Sequence, residues 1–248
     1  MDIEIRNHVA VVTGGARGLG AEMSKALAEE GCRVVVWDRD AAAEQMAASI
    51  RAAGGSAMGV VGDVTDSARV QAVIDEVLKE FGSIEILVNC AGFSRDGPIT
   101  EMTDAQWKEV IDVNLNAPFY VTRAVVPVMQ KNHYGRIVNV SSRARTGDNF
   151  KSNYSAAKQG VVGLTMALAI ELGKSGITVN ALAPGFCETE RTRGIPFFKQ
   201  LRERALALTP TDRLGTERDI ADGLLYLVGK RSGYITGEVL TIAGGRWR

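Results

Sequence analysis

Histidine and cysteine are scarce in this chain of 248 residues, which has two of the former, His8 and His133, and three of the latter, Cys32, Cys90 and Cys187. Neither histidine sits in a metal-like cluster, so no metal site is expected and a zinc-dependent alcohol dehydrogenase is excluded. The cysteines are odd in number and widely separated, with no CxxC pair, and build no disulfide framework. They read as reduced packing residues. No GxSxG elbow occurs, which excludes a serine hydrolase of that type. Net charge is also lacking: 29 Lys and Arg balance 29 Asp and Glu, leaving no electrostatic footprint for nucleic acid or an anionic membrane. No run is both long and apolar enough to cross a bilayer, and Met1 to Arg6 has neither the basic flank nor the apolar core of a signal peptide. The expectation is a cytoplasmic protein, with no nucleic-acid or membrane partner, acting on a small molecule.

What is present is ample core material. With 46% hydrophobic and 23% charged residues the chain can bury a full core, and one domain over residues 1–248 is expected. Short Val- and Ile-rich runs recur at Val9–Val12, Arg33–Trp37, Met58–Val61, Ile84–Val88, Ile137–Val140, Thr178–Leu182 and Val239–Ile242. They read as strands buried on both faces. Helical spacing fills the intervals Ala21–Glu30, Ala41–Ala53, Ser67–Phe81, Asp104–Lys131, Tyr154–Leu172 and Glu217–Gly229. That alternation predicts the Rossmann-type α/β class, a doubly wound parallel sheet with helices on both faces and ligands beyond the carboxyl ends of its strands. The region 186–211, with Pro196, Phe197, Phe198 and Pro210, reads as one long irregular insertion and is the substrate-lid candidate.

Two motifs carry chemistry. Thr13-Gly14-Gly15-Ala16-Arg17-Gly18-Leu19-Gly20 follows the first strand and opens the first helix, where glycines let backbone N–H groups and a helix N-terminus approach a pyrophosphate. The second strand ends about 20 residues on at Asp38, whose carboxylate can accept both ribose hydroxyls of an adenosine. Asp63, in Gly62-Asp63-Val64, has two readings: contact with the adenine edge, or a helix N-cap before Asp66. The second motif is Tyr154 and Lys158, four residues apart on a helix and so on one face. A cation beside a phenol stabilises the phenolate and brings a group that titrates near ~10 toward the working range.

The loop spacing, Tyr154-x-x-x-Lys158, Asn89-Cys90-Ala91-Gly92, Asn114, Ser141-Ser142, Pro184-Gly185 and Tyr234-Ile235-Thr236-Gly237 together resemble the classical short-chain dehydrogenase/reductase family over nearly the whole chain. The likeness is greatest to 3-oxoacyl-acyl-carrier-protein reductases and related secondary-alcohol and polyol dehydrogenases. The resemblance implies an NAD(P)-dependent oxidoreductase interconverting a ketone and a secondary alcohol. Tyr154 would be the acid and base, Lys158 would lower its pKa and hold the nicotinamide ribose, a serine would hydrogen-bond the reacting oxygen, and Asn114 would anchor a proton-relaying water. Family spacing points to Ser141 for that serine, whereas counting along Gly135–Val140 points to Ser142. Ser142 is chosen, because strand register fixes which hydroxyl faces the cofactor.

The implied cofactor contacts are Gly14, Arg17, Gly18, Leu19, Gly20, Asp38, Arg39, Asp63, Val64, Asn89, Gly92, Tyr154, Lys158, Pro184, Gly185, Cys187 and Thr189, with Thr189 on the carboxamide. Asn89 has the alternative of simply capping its strand. Cys90 and Cys187 depart from the usual Asn and aliphatic residue, and tolerance is expected. Asp38 favours NAD, and NADP stays open if Arg17 and Arg39 compensate. Relatives pair the helices matching Asp104–Lys131 and Tyr154–Leu172, which with small residues at Ala156, Ala157, Gly160 and Gly163 predicts a homo-oligomer, a tetramer. The rival class is a dinucleotide-binding sensor or scaffold without turnover; a narrower alternative is a 3-oxoacyl-thioester reductase using NADPH. Arg143 and Arg145 either face the substrate mouth and favour an anionic substrate or are simply solvated.

Overall fold

Val- and Ile-rich runs become interior strands here because helices cover both faces of the sheet, so along the central strands neither set of alternating side chains meets water, while Val61 and Val239–Ile242 at the two edges stay partly exposed. A computed structural model describes residues 2–194 and 197–246. Its strands are β1 Val9–Thr13, β2 Arg33–Asp38, β3 Ser56–Val61, β4 Ile86–Asn89, β5 Gly135–Val140, β6 Ile177–Pro184 and β7 Val239–Ile242. They form one seven-stranded parallel sheet in the order β3-β2-β1-β4-β5-β6-β7. The expected doubly wound α/β class is the observed one.

The connecting helices are α1 Gly18–Glu29, α2 Ala42–Ala52, α3 Ser67–Phe81, α4 Asp104–Ile111, α5 Ala117–Lys131, α6 Ser152–Leu172, α7 Glu190–Arg193, α8 Phe198–Ala207 and α9 Glu217–Val228. One core lies on each side of the sheet. Ala10, Val12, Val34 and Val36 pack toward Met23, Leu27, Ile220 and Leu224 on one face, while Val9, Val11, Val35 and Trp37 join Val73, Ile74, Val121 and Val125 on the other. No helix among the described residues is long and apolar enough to cross a membrane.

Three features differ from the sequence expectation. The helix expected unbroken from Asp104 to Lys131 carries a π-helical turn at Asp112–Asn116 between α4 and α5. The Asn114 amide donates to the Val110 carbonyl, and Pro118 has no N–H to give to the Asn114 carbonyl. The insertion expected as irregular over 186–211 contains α7 and α8; Pro196 of that region lies outside the described residues. The reading of Asp63 as the N-cap of α3 is also corrected: Asp66 accepts from Ala68 N and Arg69 N at 3.0 and 3.1 Å and is the cap. Asp63 instead turns back on Thr65, accepting from its N and Oγ1 at 2.8 and 2.7 Å.

Parallel register brings the carboxyl ends of the strands to one edge. Thr13 lies opposite Asn89, Asn89 opposite Asn139, and Val140 opposite Leu182. The order of the sheet reverses between β1 and β4, where a crevice for a ligand opens in folds of this kind.

Candidate active site

At that crevice the glycine loop lies against the chain after β4. A Cβ on Gly14 would stand 2.7 Å from Ala91 Cα, and one on Gly20 would stand 2.1 Å from the Gly14 oxygen, so both positions exclude any side chain. Gly14 and Gly18 also have φ of +64° and +53°, the left-handed region that suits glycine. Thr13, which had no role in the sequence reading, locks the two loops together: its Oγ1 accepts from Cys90 N and Ala91 N at 3.1 and 3.3 Å. No side chain caps the start of α1, leaving its N–H groups to face a ligand. The loop therefore fits a pyrophosphate.

Asp38 stands at the end of β2 as expected. Its Oδ2 accepts from Ala16 N at 3.3 Å and its Oδ1 from Asp40 N at 3.2 Å, which aims the carboxylate at the mouth of the loop. Arg17 is drawn aside by Asp40 at 2.8 Å, and Arg39 is exposed. Hydrogen bonding to Ala42 N, opposed by desolvation and joined by Arg17 and then the Arg39 charge, holds Asp40 below its usual carboxylate range. Asp63 is exposed and Val64 buried beyond β3.

Lys158 is the buried charge of the site. Only 3% exposed, it donates from Nζ to the Val140 carbonyl at 2.7 Å, and Nζ stands 5.6 Å from the centre of the Tyr154 ring. Burial lowers its pKa to about 8, opposed weakly by Cys90. Asn153, which had no role in the sequence reading, is fully buried and fixes the start of α6: its Nδ2 donates to the Arg95 carbonyl at 3.0 Å, and its Oδ1 accepts from Tyr154 N at 2.6 Å.

Asn114 lies in the π-helical turn, fully buried, with Nδ2 held by the Phe93 and Val110 carbonyls at 2.8 and 2.9 Å. Its Oδ1 has no partner. A Cβ on Gly92 would fall 2.6 Å from that oxygen and 3.3 Å from Lys158 Nζ, so both groups border the space that glycine leaves open. An orphaned acceptor beside an ammonium is a fitting place for a water.

The two serines are clearly divided. Ser141 is 2% exposed and spends its hydroxyl on the Lys158 carbonyl at 2.9 Å. Ser142 is half-buried at the head of a short turn, where its Oγ accepts from Ala144 N at 3.1 Å and keeps a proton to donate. Asn89 turns its amide inward, toward Thr122 and Asn139, and Asn139 continues to Thr165 at 2.9 Å. The Asn89 side chain is thus built into a buried ladder under the crevice, away from its rim. Asn139 had no role in the sequence reading; strand parity, two residues before Ser141, is the signal that could have pointed to it.

Pro184 ends β6, and a Cβ on Gly185 would meet Ala243 at 2.8 Å, which packs the chain after β7 against this edge. Thr189 caps α7 through Thr192, with its Oγ1 accepting from Thr192 N at 3.2 Å. Cys187 is buried beside Gly215. Burial pushes the Cys90 thiol up to about 11 and those of Cys32 and Cys187 to about 12, so all three are protonated near neutrality. Of the small residues expected along α6, Ala157 is buried and Gly160 faces Leu115, so they point inward. The outer face is formed instead by Ala156, Gly163, Met166 and Ile170, the last 85% exposed.

Comparison with known proteins gives concordant matches. A family model described as enoyl-(acyl carrier protein) reductase matches residues 14–246. The BbsD subunit of hydroxy(phenyl)methylsuccinyl-CoA dehydrogenase from Thauera aromatica is 43% identical over 98% of this chain and 97% of its own. The 3-oxoacyl-acyl-carrier-protein reductase FabG of Escherichia coli is 38% identical over 96% of this chain and 97% of its own. Among solved structures, a gluconate dehydrogenase, so named provisionally, from Agrobacterium tumefaciens superposes with a TM-score of 0.95 at 30% identity, covering 100% of this chain and 98% of that one.

Proposed function

Since the chain belongs to the short-chain dehydrogenase/reductase family and is an oxidoreductase that works with a nicotinamide dinucleotide, we propose that it interconverts a ketone and a secondary alcohol with Tyr154 as acid and base. The observation that carries this reading is the burial of Lys158 beside the Tyr154 ring, with the unpartnered Asn114 Oδ1 next to it.

The dinucleotide supplies or accepts the hydride; the protein handles the proton and the charge. Lys158, with a pKa of about 8, is mostly cationic near neutrality and stabilises negative charge on the Tyr154 oxygen. Tyr154 gives its proton to the developing alkoxide in reduction and takes it back in oxidation. Ser142 donates a hydrogen bond to the same substrate oxygen, while Ser141 holds α6 to the strand end through the Lys158 carbonyl. Asn114 holds a water that returns the proton by way of Lys158.

Gly14, Gly18 and Gly20 cradle the pyrophosphate with Leu19 and the α1 N-terminus, and Gly92, Pro184, Gly185 and Thr189 flank the nicotinamide end. Asp38 takes the adenosine ribose, so NAD is the preferred cofactor. A 2′-phosphate ~4 Å from that carboxylate costs about 4 kcal/mol per like-charge pair at an effective dielectric of ~20, and Arg17 is already paired with Asp40. A second reading, a 3-oxoacyl-thioester reductase, is favoured by the likeness to the Escherichia coli enzyme over nearly the whole chain. Segment 186–211 acts as the lid over the substrate, and the apolar outer face of α6 seats a second copy in a homotetramer.

Tyr154→Phe tests the central reading. Dinucleotide affinity should stay within about threefold while turnover of a ketone or alcohol falls by at least ~10²-fold. Near-normal turnover would refute the mechanism.

A further inference from the structure

Three chain segments follow the carboxyl ends of β5, β6 and β7, in the half of the sheet beside Ser142. The first is the turn Arg143–Thr146, which follows Ser142 directly. The second is α8 of the lid, which carries Arg204 on an exposed face. The third is the chain after β7, which is tied to the end of the lid by Thr211 N donating to the Gly244 carbonyl at 3.2 Å and by Gly245 against Pro210. It ends in Arg246, whose Nε is buried and has no hydrogen-bond partner.

These segments bring three guanidinium groups into one field. Arg143, only 12% exposed, is pinned by Asp148 at 2.8 Å, and Asp148 is also approached by Lys151 at 3.9 Å. Burial and the Arg143 charge, offset by Asp148 and reinforced by Arg204, hold Arg246 below the usual value for an arginine. Arg143, Lys151, Arg204 and Arg246 against Asp148 and Asp96, the latter 3.6 Å from Lys151, leave an excess of two positive charges. A buried N–H without an acceptor and cations repelling one another are both relieved by an arriving oxyanion.

We propose that the mouth of the site between Arg143, Arg204 and Arg246 receives an anionic group, a carboxylate or a phosphate, on the part of the substrate remote from the reacting carbon. The proposal rests on the reading of Ser142 and Tyr154 as the reaction centre. Of the two loop arginines Arg143 acts on Arg246, and Arg145, in the same turn, also has a buried Nε without a hydrogen-bond partner.

The test compares matched substrates on the full-length protein with saturating dinucleotide. A keto acid is set against its methyl ester, and acetoacetyl-CoA against the neutral acetoacetyl thioester of N-acetylcysteamine. The anionic member of at least one pair should have a KM lower by about tenfold or more, the size expected of one well-placed charge contact. The acid pair identifies a carboxylate and the coenzyme A pair a phosphate. Arg204→Gln and Arg246→Gln should abolish that preference while leaving the neutral member within about twofold. Absence of preference in both pairs, or an equal loss on neutral and anionic substrates, overturns the proposal. Should no ketone be turned over, the reaction reading fails and this one is judged by calorimetry with malonate and with inorganic phosphate. Saturable binding weakened about tenfold or more by Arg246→Gln supports it; binding that does not saturate, or is unchanged in the variant, overturns it.

Discussion

Replacing Lys158 with methionine separates what this residue contributes to catalysis from what its burial costs the fold. A free lysine titrates at 10.5 and this one at about 8, with burial as the leading cause. At about 1.36 kcal/mol per pH unit the difference corresponds to roughly 3 kcal/mol of destabilisation when the group is charged. Between pH 8 and 10.5 the unfolded chain holds a proton that the folded chain has released, so stability rises with pH across that window. The full penalty applies below it. Methionine is close in shape and removes the penalty at every pH, but it loses the Nζ bond to the Val140 carbonyl and leaves that acceptor bare, at a cost of about 1 kcal/mol. The variant should therefore gain about 2 kcal/mol at pH 7. For a domain of this size that is a rise in Tm of about 4–8 °C. The gain should fade by pH 10.5. The assay is thermal unfolding of both proteins without dinucleotide, since a bound ligand would add its own linkage. Turnover in the variant should be lost. Lower stability than the parent at pH 7, or a difference that does not change with pH, would refute the reasoning.

Other outcomes follow from the same geometry. Ser142→Ala should lower turnover by at least ~10²-fold with little change in Tm, whereas Ser141→Ala should cost about 1 kcal/mol of stability and far less activity; the opposite ranking would reverse their roles. Kinetics with both dinucleotides should give at least about a tenfold higher kcat/KM for NAD(H), a margin of ~1.4 kcal/mol, and Asp38→Ser should narrow it. Equal use of both by the unmodified protein would show that Arg17 and Arg39 control the ribose site. Light scattering at micromolar concentration should give the mass of four chains. A monomer would leave the Met166 and Ile170 face without its proposed partner.

The strands were legible because a parallel sheet buried on both faces writes itself as unbroken apolar runs, as at Val34–Val36 and Leu87–Val88. The glycine loop was legible because close backbone approach tolerates no other residue at Gly14 and Gly20. The helices α7 and α8 were missed for a physical reason. Thr189 caps α7 through Thr192 rather than through the acidic residue that marks most such starts, and α8 buries only Ala205 fully, so no apolar stripe announces it. The local part of the π-helical turn was written in Asn114 and Pro118; what stayed hidden was the bond of the Asn114 amide to the Phe93 carbonyl, which joins segments whose approach no local spacing encodes. Arg246 entered no sequence argument, since the residues that give it meaning lie about a hundred positions away at Arg143 and on α8 at Arg204.

The bond from Thr13 to the amides of Cys90 and Ala91 spans 77 and 78 residues. That separation bears on the order in which the site can come into being. Loop closure over such a length costs chain entropy before the bond rewards it, which predicts that protection of the Cys90 and Ala91 amides from exchange arises late in refolding. A fragment ending before β4 would contain every glycine of the loop and Asp38, yet lack the wall at Ala91 against which Gly14 rests. During synthesis the chain holds the glycine loop in composition well before it holds the crevice in shape.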